Sequence, residues 1–410
     1  MMRILYVTQW FDPEPAFKGL TFAKNLASLG HKIEVLTGFP NYPGGKIYKG
    51  YKLRPWQSEV RDGVNIHRVY LYPSHNSSTL HRALNYISFC LSCLIFLLIN
   101  ARRFDAIYVY HPPITPALAT ALATLLWRKP FVVEIQDLWP DTVATSGMAP
   151  EFMVRSLNWA CNFVYRRSAA IIVQSDGMKE RLVERGVAAT KITRIYNSSN
   201  YLPAGSQSEA VSVDFVRNFS GHFNFVYGGN LGQAQDLAKV IEAARLATLS
   251  CPALKLHLVG NGIEAVKLAQ IISQQNLTCV QIYPPISRSA MDRVFEIADV
   301  LVVNLEPDLL YTITIPSKLQ HYLSVGKPVL AGLHGEAAGL LKLADAGLVC
   351  TPGVLHEMAA AMVKLYNLTV PARAAMGARG KAFYMDTMGL EAALTKTNAV
   401  LNGLGIVGKG

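Results

Sequence analysis

The sequence predicts an α/β protein made of two successive Rossmann-like domains, each built on a mostly parallel sheet. Three observations carry this. Short apolar, β-branched runs alternate with helix-length segments along all 410 residues, the pattern of parallel strands joined by helices. These runs are nearly continuous in apolar character, as in 300–305 (VLVVNL), which suits strands covered on both faces. A polar stretch at 197–212 (NSSNYLPAGSQSEAVS) then interrupts the alternation, and a fresh α/β pattern starts at Phe223, so the stretch reads as a linker. The expected division is 1–200, 201–385 and a tail, 386–410, that returns to the first domain.

Lys and Arg number 39 against 28 Asp and Glu, a net charge of +11, yet 51% of the residues are hydrophobic. A nucleic-acid protein would combine such charge with a polar surface and an aromatic or zinc module, and none is found. A basic, apolar chain fits an anionic membrane surface. The cysteines, Cys90, Cys93, Cys161, Cys251, Cys279 and Cys350, are scattered through apolar runs. The Cys90/Cys93 pair has no second pair or histidine for zinc, so all six read as core residues in a reducing compartment. After Met1-Met2-Arg3 comes only a short apolar strand, too brief for a signal-peptide core.

The first expected strand is 3–8. Loop 9–18 (QWFDPEPAFK) follows with two prolines and two acids, then a helix over 19–29 and a strand over 33–36. This βαβ unit carries no G-x-G-x-x-G, which argues against a dinucleotide cofactor here. Loop 38–51 (GFPNYPGGKIYKGY) mixes turn residues with aromatics and reads as a lid or excursion. Residues 84–99 (LNYISFCLSCLIFLLI) form the most apolar run. A helix of that length spans roughly 24 Å, short of the roughly 30 Å hydrocarbon core, so no crossing is expected. Asn85, Ser88 and Ser92 share one face, the last two turns are apolar all round, and Arg82, Arg102 and Arg103 flank the run. Either a buried core helix or one partly immersed in lipid, with its arginines at the headgroups, fits this pattern.

Strands at 106–110 and 131–135 end in His111-Pro112-Pro113 and Gln136-Asp137-Leu138-Trp139-Pro140-Asp141. A histidine and a carboxylate just past neighbouring strands face the crevice where open α/β sheets bind ligands. The alternative is that His111 caps a turn and Asp137 or Asp141 caps the next helix. Strands at 170–174 and 191–195 complete the first half. In the second, 223–227 opens on Gly228-Gly229-Asn230-Leu231-Gly232, 254–259 on Gly260-Asn261-Gly262, and 280–283 on Pro284-Pro285. After 300–305 and an irregular loop, Pro316 starts a helix with Ser317 and Lys318 in its first turn, and Gly326 with Pro328 closes it. Such a helix start offers unpaired N–H groups and partial positive charge, for which phosphate is the natural occupant. Two such domains place a cleft between them, a preferred ligand site.

The stretches GFPNYPGGKIYKGY, YVYHPP, EIQDLWPDTV, IIVQSDGMKERLVERGV, YGGNLG, VGNGIE and TIPSKLQHYLSVGKPVLAG occur in this order. Together they resemble the GT-B glycosyltransferases of family 4, over residues 3–384, and most of all a bacterial subgroup that transfers N-acetyl-L-fucosamine or a related amino sugar in O-antigen (lipopolysaccharide) or capsule assembly. The resemblance implies two Rossmann-like domains facing each other across a cleft, a UDP-sugar donor, an undecaprenyl-diphosphate-linked acceptor, and neither cofactor nor metal. It also implies a peripheral place on the inner face of the inner membrane. Gly229, Asn230 and Gly232 would line the donor diphosphate, Gly260, Gly262 and the Pro285-Ile286 turn would lie near the nucleotide, Ser317 and Lys318 would hold the diphosphate, and His111 would touch the donor sugar. The family's Glu-x7-Glu pair is replaced by Ile313 and His321, and its Arg and Lys after the first strand of the second domain by Asn230 and a QAQD run. Lys318, with Arg288, is then expected to oppose the leaving diphosphate, and His321 takes the second glutamate's place among the donor contacts. An inverting course would need a base, for which Asp137 and His111 are the candidates. Alternative functions are a sugar-nucleotide epimerase of the same fold and a non-catalytic membrane scaffold of polysaccharide assembly.

Overall fold

The computed structural model describes residues 1–74, 79–141, 150–199 and 213–407. The chain divides into two compact units, Met1–Ile195 with Leu394–Gly410, and Tyr196–Ala393. The expected boundary at residue 200 and most of the polar run behind it fall on 200–212, outside the described residues.

In unit 1, β1 (Arg3–Val7), β2 (Lys32–Gly38), β3 (Trp56–Arg61), β4 (Val64–Val69), β5 (Ala106–His111), β6 (Phe131–Ile135), β7 (Ala170–Val173) and β8 (Ile192–Arg194) form one sheet. Its order is β3-β4-β2-β1-β5-β6-β7-β8. Interior strands are buried over most of their length, Ile4 to Val7 and Val132 to Val133 being wholly inaccessible, because helices cover both faces of a parallel sheet. The one antiparallel pair is β3 with β4. Sequence reading passed over this hairpin, although it turns at Asp62-Gly63, with φ of 47° and 78°, and Asp-Gly is the pair that a two-residue turn of positive φ selects. Leu401 and Leu404 of the C-terminal segment are buried, and Asn398 Oδ1 lies 3.0 Å from His31 Nε2.

The apolar run lies in a helix, Thr79–Asn100, continued by a 3₁₀ turn, Ala101–Arg103. Here one expectation is corrected, because the helix extends beyond 84–99 at both ends. Leu80–Arg103 has the length and apolarity of a bilayer span, by those two criteria alone. Its packing is two-sided. Asn85, Phe89, Cys93, Phe96, Leu97 and Asn100 are buried against β2, β4 and the Thr115–Trp127 helix. Leu80, Leu84, Ile87, Leu91, Ile95, Leu98 and Ile99 are exposed. The polar Asn85 faces inward, where its Nδ2 donates to the Tyr72 carbonyl at 2.7 Å and its Oδ1 accepts from Gln9 Nε2 at 2.6 Å. Core and surface readings thus each describe one face of the same helix.

Unit 2 contains β9 (Phe223–Gly228), β10 (Leu254–Val259), β11 (Val280–Tyr283), β12 (Val300–Asn304), β13 (Val329–Gly332) and β14 (Gly347–Cys350). All pairs are parallel, in the order β11-β10-β9-β12-β13-β14. Val300 and Val302 enter one core layer and Leu301 and Val303 the other, as the two-residue period of a strand between two helix layers requires. Strand order reverses between β9 and β12, and in unit 1 between β1 and β5. Such reversals leave a crevice at the carboxyl ends of the strands.

Candidate active site

Four neighbouring strands of unit 2 carry the expected donor residues at or beyond their carboxyl ends. Pro285-Ile286 follow β11, Gly260 and Gly262 follow β10, Gly229 to Gly232 follow β9, and Ser317-Lys318 open the helix after β12. The β9 and β10 loops are laced together by Gly229 N donating to Val259 O at 2.8 Å and Leu231 N to Asn261 O at 2.9 Å. Gly260, at φ 151°, passes so close to its neighbour that a Cβ would sit 1.9 Å from the Gly229 carbonyl oxygen. Gly229, at φ 128°, would carry a Cβ 2.9 Å from Lys318 Cε, so only glycine lets the lysine lie along this backbone.

Lys318 is the electrostatic centre of this arrangement. Its ammonium lies 5.0 Å from the centroid of the Tyr227 ring. Burial lowers its pKa, and no neighbouring carboxylate among the described residues offsets that effect. The helix Ser317–Val325 begins after Pro316 with no side-chain cap, and Tyr322 Oη accepts from Gly228 N at 3.2 Å, fixing it to the end of β9. A desolvated cation beside an uncapped helix start and an aromatic face is chemically an anion site.

The residues around it divide into those that can meet a ligand and those that shape the loop. Asn230 is exposed, and its Nδ2 lies 3.4 Å from Gln235 Oε1, which also accepts from Gly232 N at 3.1 Å. Gln235, in the run that replaces the family's basic residues, therefore organises the glycine turn. Arg288 is exposed at the start of the Arg288–Ile297 helix, capped by Ser287. This helix follows β11, two strands from β9, so of the two expected cations it is Lys318 that borders Gly229. His321 lies on the same helix as Lys318, but its Nε2 is 2.8 Å from Asp292 Oδ1 and its Nδ1 2.8 Å from Ser199 Oγ. Both ring nitrogens face protein groups, and a ribose contact here would first have to displace one.

In unit 1, β5 and β6 bring His111 and Asp137 to adjacent strand ends, with Gln136 N donating to His111 O at 3.1 Å. His111 is fully buried, and neither ring nitrogen has a hydrogen-bond partner among the described residues. Trp139 meets it edge-on at 5.6 Å. Burial pushes its pKa down to about 3, so the imidazole is neutral and too weak a base to hold a proton at neutral pH. Asp137 reaches solvent, yet the protein packed around it desolvates its carboxyl and raises the pKa, which makes it the better base of the two. Asp141 is paired with Arg185 and, at 3.5 Å, with Arg181, a tie between loop and helix.

Two carboxylates that the sequence reading passed over hold the loops around these groups. Glu134, 1% exposed, accepts from Gln136 Nε2 at 2.6 Å, from Tyr108 and from Lys18, which anchors the end of loop 9–18. Glu14, also buried, accepts from Phe11 N at 3.2 Å, Asn41 N at 2.6 Å and Tyr42 N at 2.7 Å, stapling loop 9–18 to loop 38–51. A legible signal existed for Glu134, a lone charge within the apolar strand FVVEI, which needs a buried partner. Among the described residues no group of three His, Cys, Asp or Glu side chains is placed to hold a metal.

Both halves of the chain match known families. The family described as Glycosyl transferase 4-like domain matches residues 20–198, and that described as Glycosyl transferases group 1 matches residues 214–383. The glycosyl transferase WcaI of Escherichia coli, assigned to colanic acid biosynthesis, is 28% identical over 313 residues, covering 73% of this chain and 75% of that protein. Among solved structures, Anabaena HepE in complex with UDP superposes with a TM-score of 0.68 at 17% identity, covering 98% of this chain and all (100%) of that one. Sucrose-phosphate synthase of Thermosynechococcus elongatus gives 0.72 at 16% identity, covering 99% of this chain and 100% of that one. With two Rossmann-like sheets and both family matches in sequence, the chain belongs to the family 4 glycosyltransferases and has the GT-B fold.

Proposed function

We propose that the protein transfers a sugar, N-acetyl-L-fucosamine or a related amino sugar, from a UDP-sugar to a lipid-diphosphate-linked saccharide during assembly of a bacterial surface polysaccharide. The observation that carries this reading is Lys318, a half-buried cation with no neighbouring carboxylate among the described residues, at the strand-order reversal of unit 2. Likeness to HepE, solved with UDP and with UDP-glucose, supports a UDP-sugar donor. Likeness to WcaI supports a polysaccharide product.

In the transfer the bond from the anomeric carbon to the diphosphate breaks and negative charge gathers on phosphate oxygens. Lys318 and the N–H groups of its helix start stabilise that charge as an oxyanion hole does, and no metal is required. The acceptor hydroxyl forms the new bond. Its proton goes to the leaving phosphate if configuration is retained, or to Asp137 if it is inverted. His111, neutral and buried as it stands, would hydrogen-bond the sugar once its ring is uncovered. Residues 79–103 hold three arginines and no carboxylate, and with the exposed apolar stripe of that helix they support a peripheral site on anionic lipid at the cytoplasmic face of the inner membrane.

The test is UDP release by the purified protein from a panel of UDP-amino sugars, with and without lipid-linked acceptor and with chelator. Release that needs the acceptor and survives the chelator is expected. Conversion of the donor without acceptor would identify an epimerase, and no turnover with any donor would identify a scaffold.

A further inference from the structure

A groove of about 510 Å³ lies between the C-terminal half of the Thr79–Asn100 helix and the start of the β3–β4 hairpin, where Leu53, Arg54, Trp56, Tyr70, Ile95 and Ile99 line it. Its volume is within the roughly 300–1,000 Å³ of small-molecule sites. Trp56 is held in its wall, edge-on to Phe96 at 5.0 Å and to His67 at 5.9 Å. Two observations bear on the occupant. Ile95 and Ile99 belong both to the groove and to the helix's exposed apolar stripe, so the groove is continuous with the surface assigned above to lipid. Among the described residues lining it, Arg54 is the one charged group, and Lys52 is exposed two residues away. An apolar trough with a basic rim and no carboxylate complements a hydrocarbon chain that ends in an anion.

We propose that this groove binds the hydrocarbon chain of the lipid-diphosphate acceptor, with Arg54 towards its anionic end. The proposal rests on the acceptor reading given above and adds to it a site of its own, on unit 1. A chain seated beside Trp56 fixes how far the diphosphate and its sugar stand from the bilayer, and so converts a membrane-bound substrate into an oriented one.

A benzophenone-bearing analogue of farnesyl diphosphate tests this in lipid-free buffer, with labelled peptides mapped by mass spectrometry. Label is expected on segments 53–56, 69–70 and 92–99, competed at least tenfold better by farnesyl diphosphate than by oleate or inorganic diphosphate. Ser92→Trp, which fills the groove, should abolish that label while leaving flotation on anionic liposomes intact. Should Ser92→Trp fail to fold, Leu53→Glu at the exposed rim gives the same readout. The double variant Ile87→Ser/Leu91→Ser, on the exposed stripe outside the groove, should show the converse, losing flotation and keeping the label. Label elsewhere, label that survives groove filling, or equal competition by oleate would overturn the assignment. Acceptor-dependent UDP release, measured separately, reports on the transferase reading, so the two can fail independently.

Discussion

Among the described residues no neighbouring carboxylate balances the charge of Lys318, and two expectations follow from that. Its pKa lies below the ordinary lysine value of 10.5 because burial disfavours the ammonium. Between the lowered pKa and 10.5 the unfolded chain therefore binds more protons than the folded one. Stability rises with pH across that window, and the destabilisation from burying the charge is fully present below it. A bound diphosphate acts in the opposite direction by favouring the ammonium. UDP affinity should hold through neutral pH and fall on the alkaline side sooner than an exposed lysine would dictate, with proton uptake on binding visible by calorimetry in two buffers of different ionisation enthalpy. Lys318→Met should lose the uptake. Lys318→Ala should lower turnover by about a hundredfold or more, as loss of an oxyanion donor does, without lowering the melting temperature. Near-normal turnover at saturating donor would sink the assignment.

At the scale of elements, the loops over the carboxyl edge of unit 1 are ordered by buried carboxylates. Glu14 accepts three backbone N–H groups from two loops, and Arg68, wholly buried, reaches Gly38 O at 3.1 Å, Glu59 Oε1 at 2.8 Å and the Asp12 carbonyl. Glu14→Ala would strand those donors, a loss on the order of 3 kcal/mol from charge-assisted bonds. Faster hydrogen exchange at Asn41 and Tyr42, with a lower melting temperature, is expected, and unchanged exchange there would refute the staple. Strands such as β12 were legible in the sequence because burial on both faces makes Val300 to Val303 apolar without a break. The glycine turns and the helix start beside Lys318 were legible because both are local patterns, small residues just past an apolar strand and a proline at a helix's opening. What escaped depends on distant partners. Ser199 meets His321 across 122 residues and Glu14 meets Asn41 across 27, separations that no local pattern encodes. The Thr79–Asn100 helix was half legible for a different reason. With apolar residues on both of its faces, periodicity cannot say which face turns inward.

The molecule as a whole is two sheets on one chain, and the chain passes between the units twice, once near residue 196 and again near residue 394. Unit 1 is therefore assembled from two stretches far apart in sequence. His31 and Asn398, and the buried Leu401 and Leu404, join what synthesis separates. A ribosome making this protein finishes the first sheet long before the segment that completes it emerges. During that interval the nascent unit has an uncovered apolar patch. The fragment 1–199 made alone should accordingly be poorly soluble, and supplying residues 386–410 as a separate peptide should rescue it. A soluble, cooperatively melting 1–199 fragment that gains nothing from the peptide would show that the last helix is dispensable. The order of events in translation, and with it the demand for chaperones, is thus written into the distance in sequence between the two stretches of unit 1.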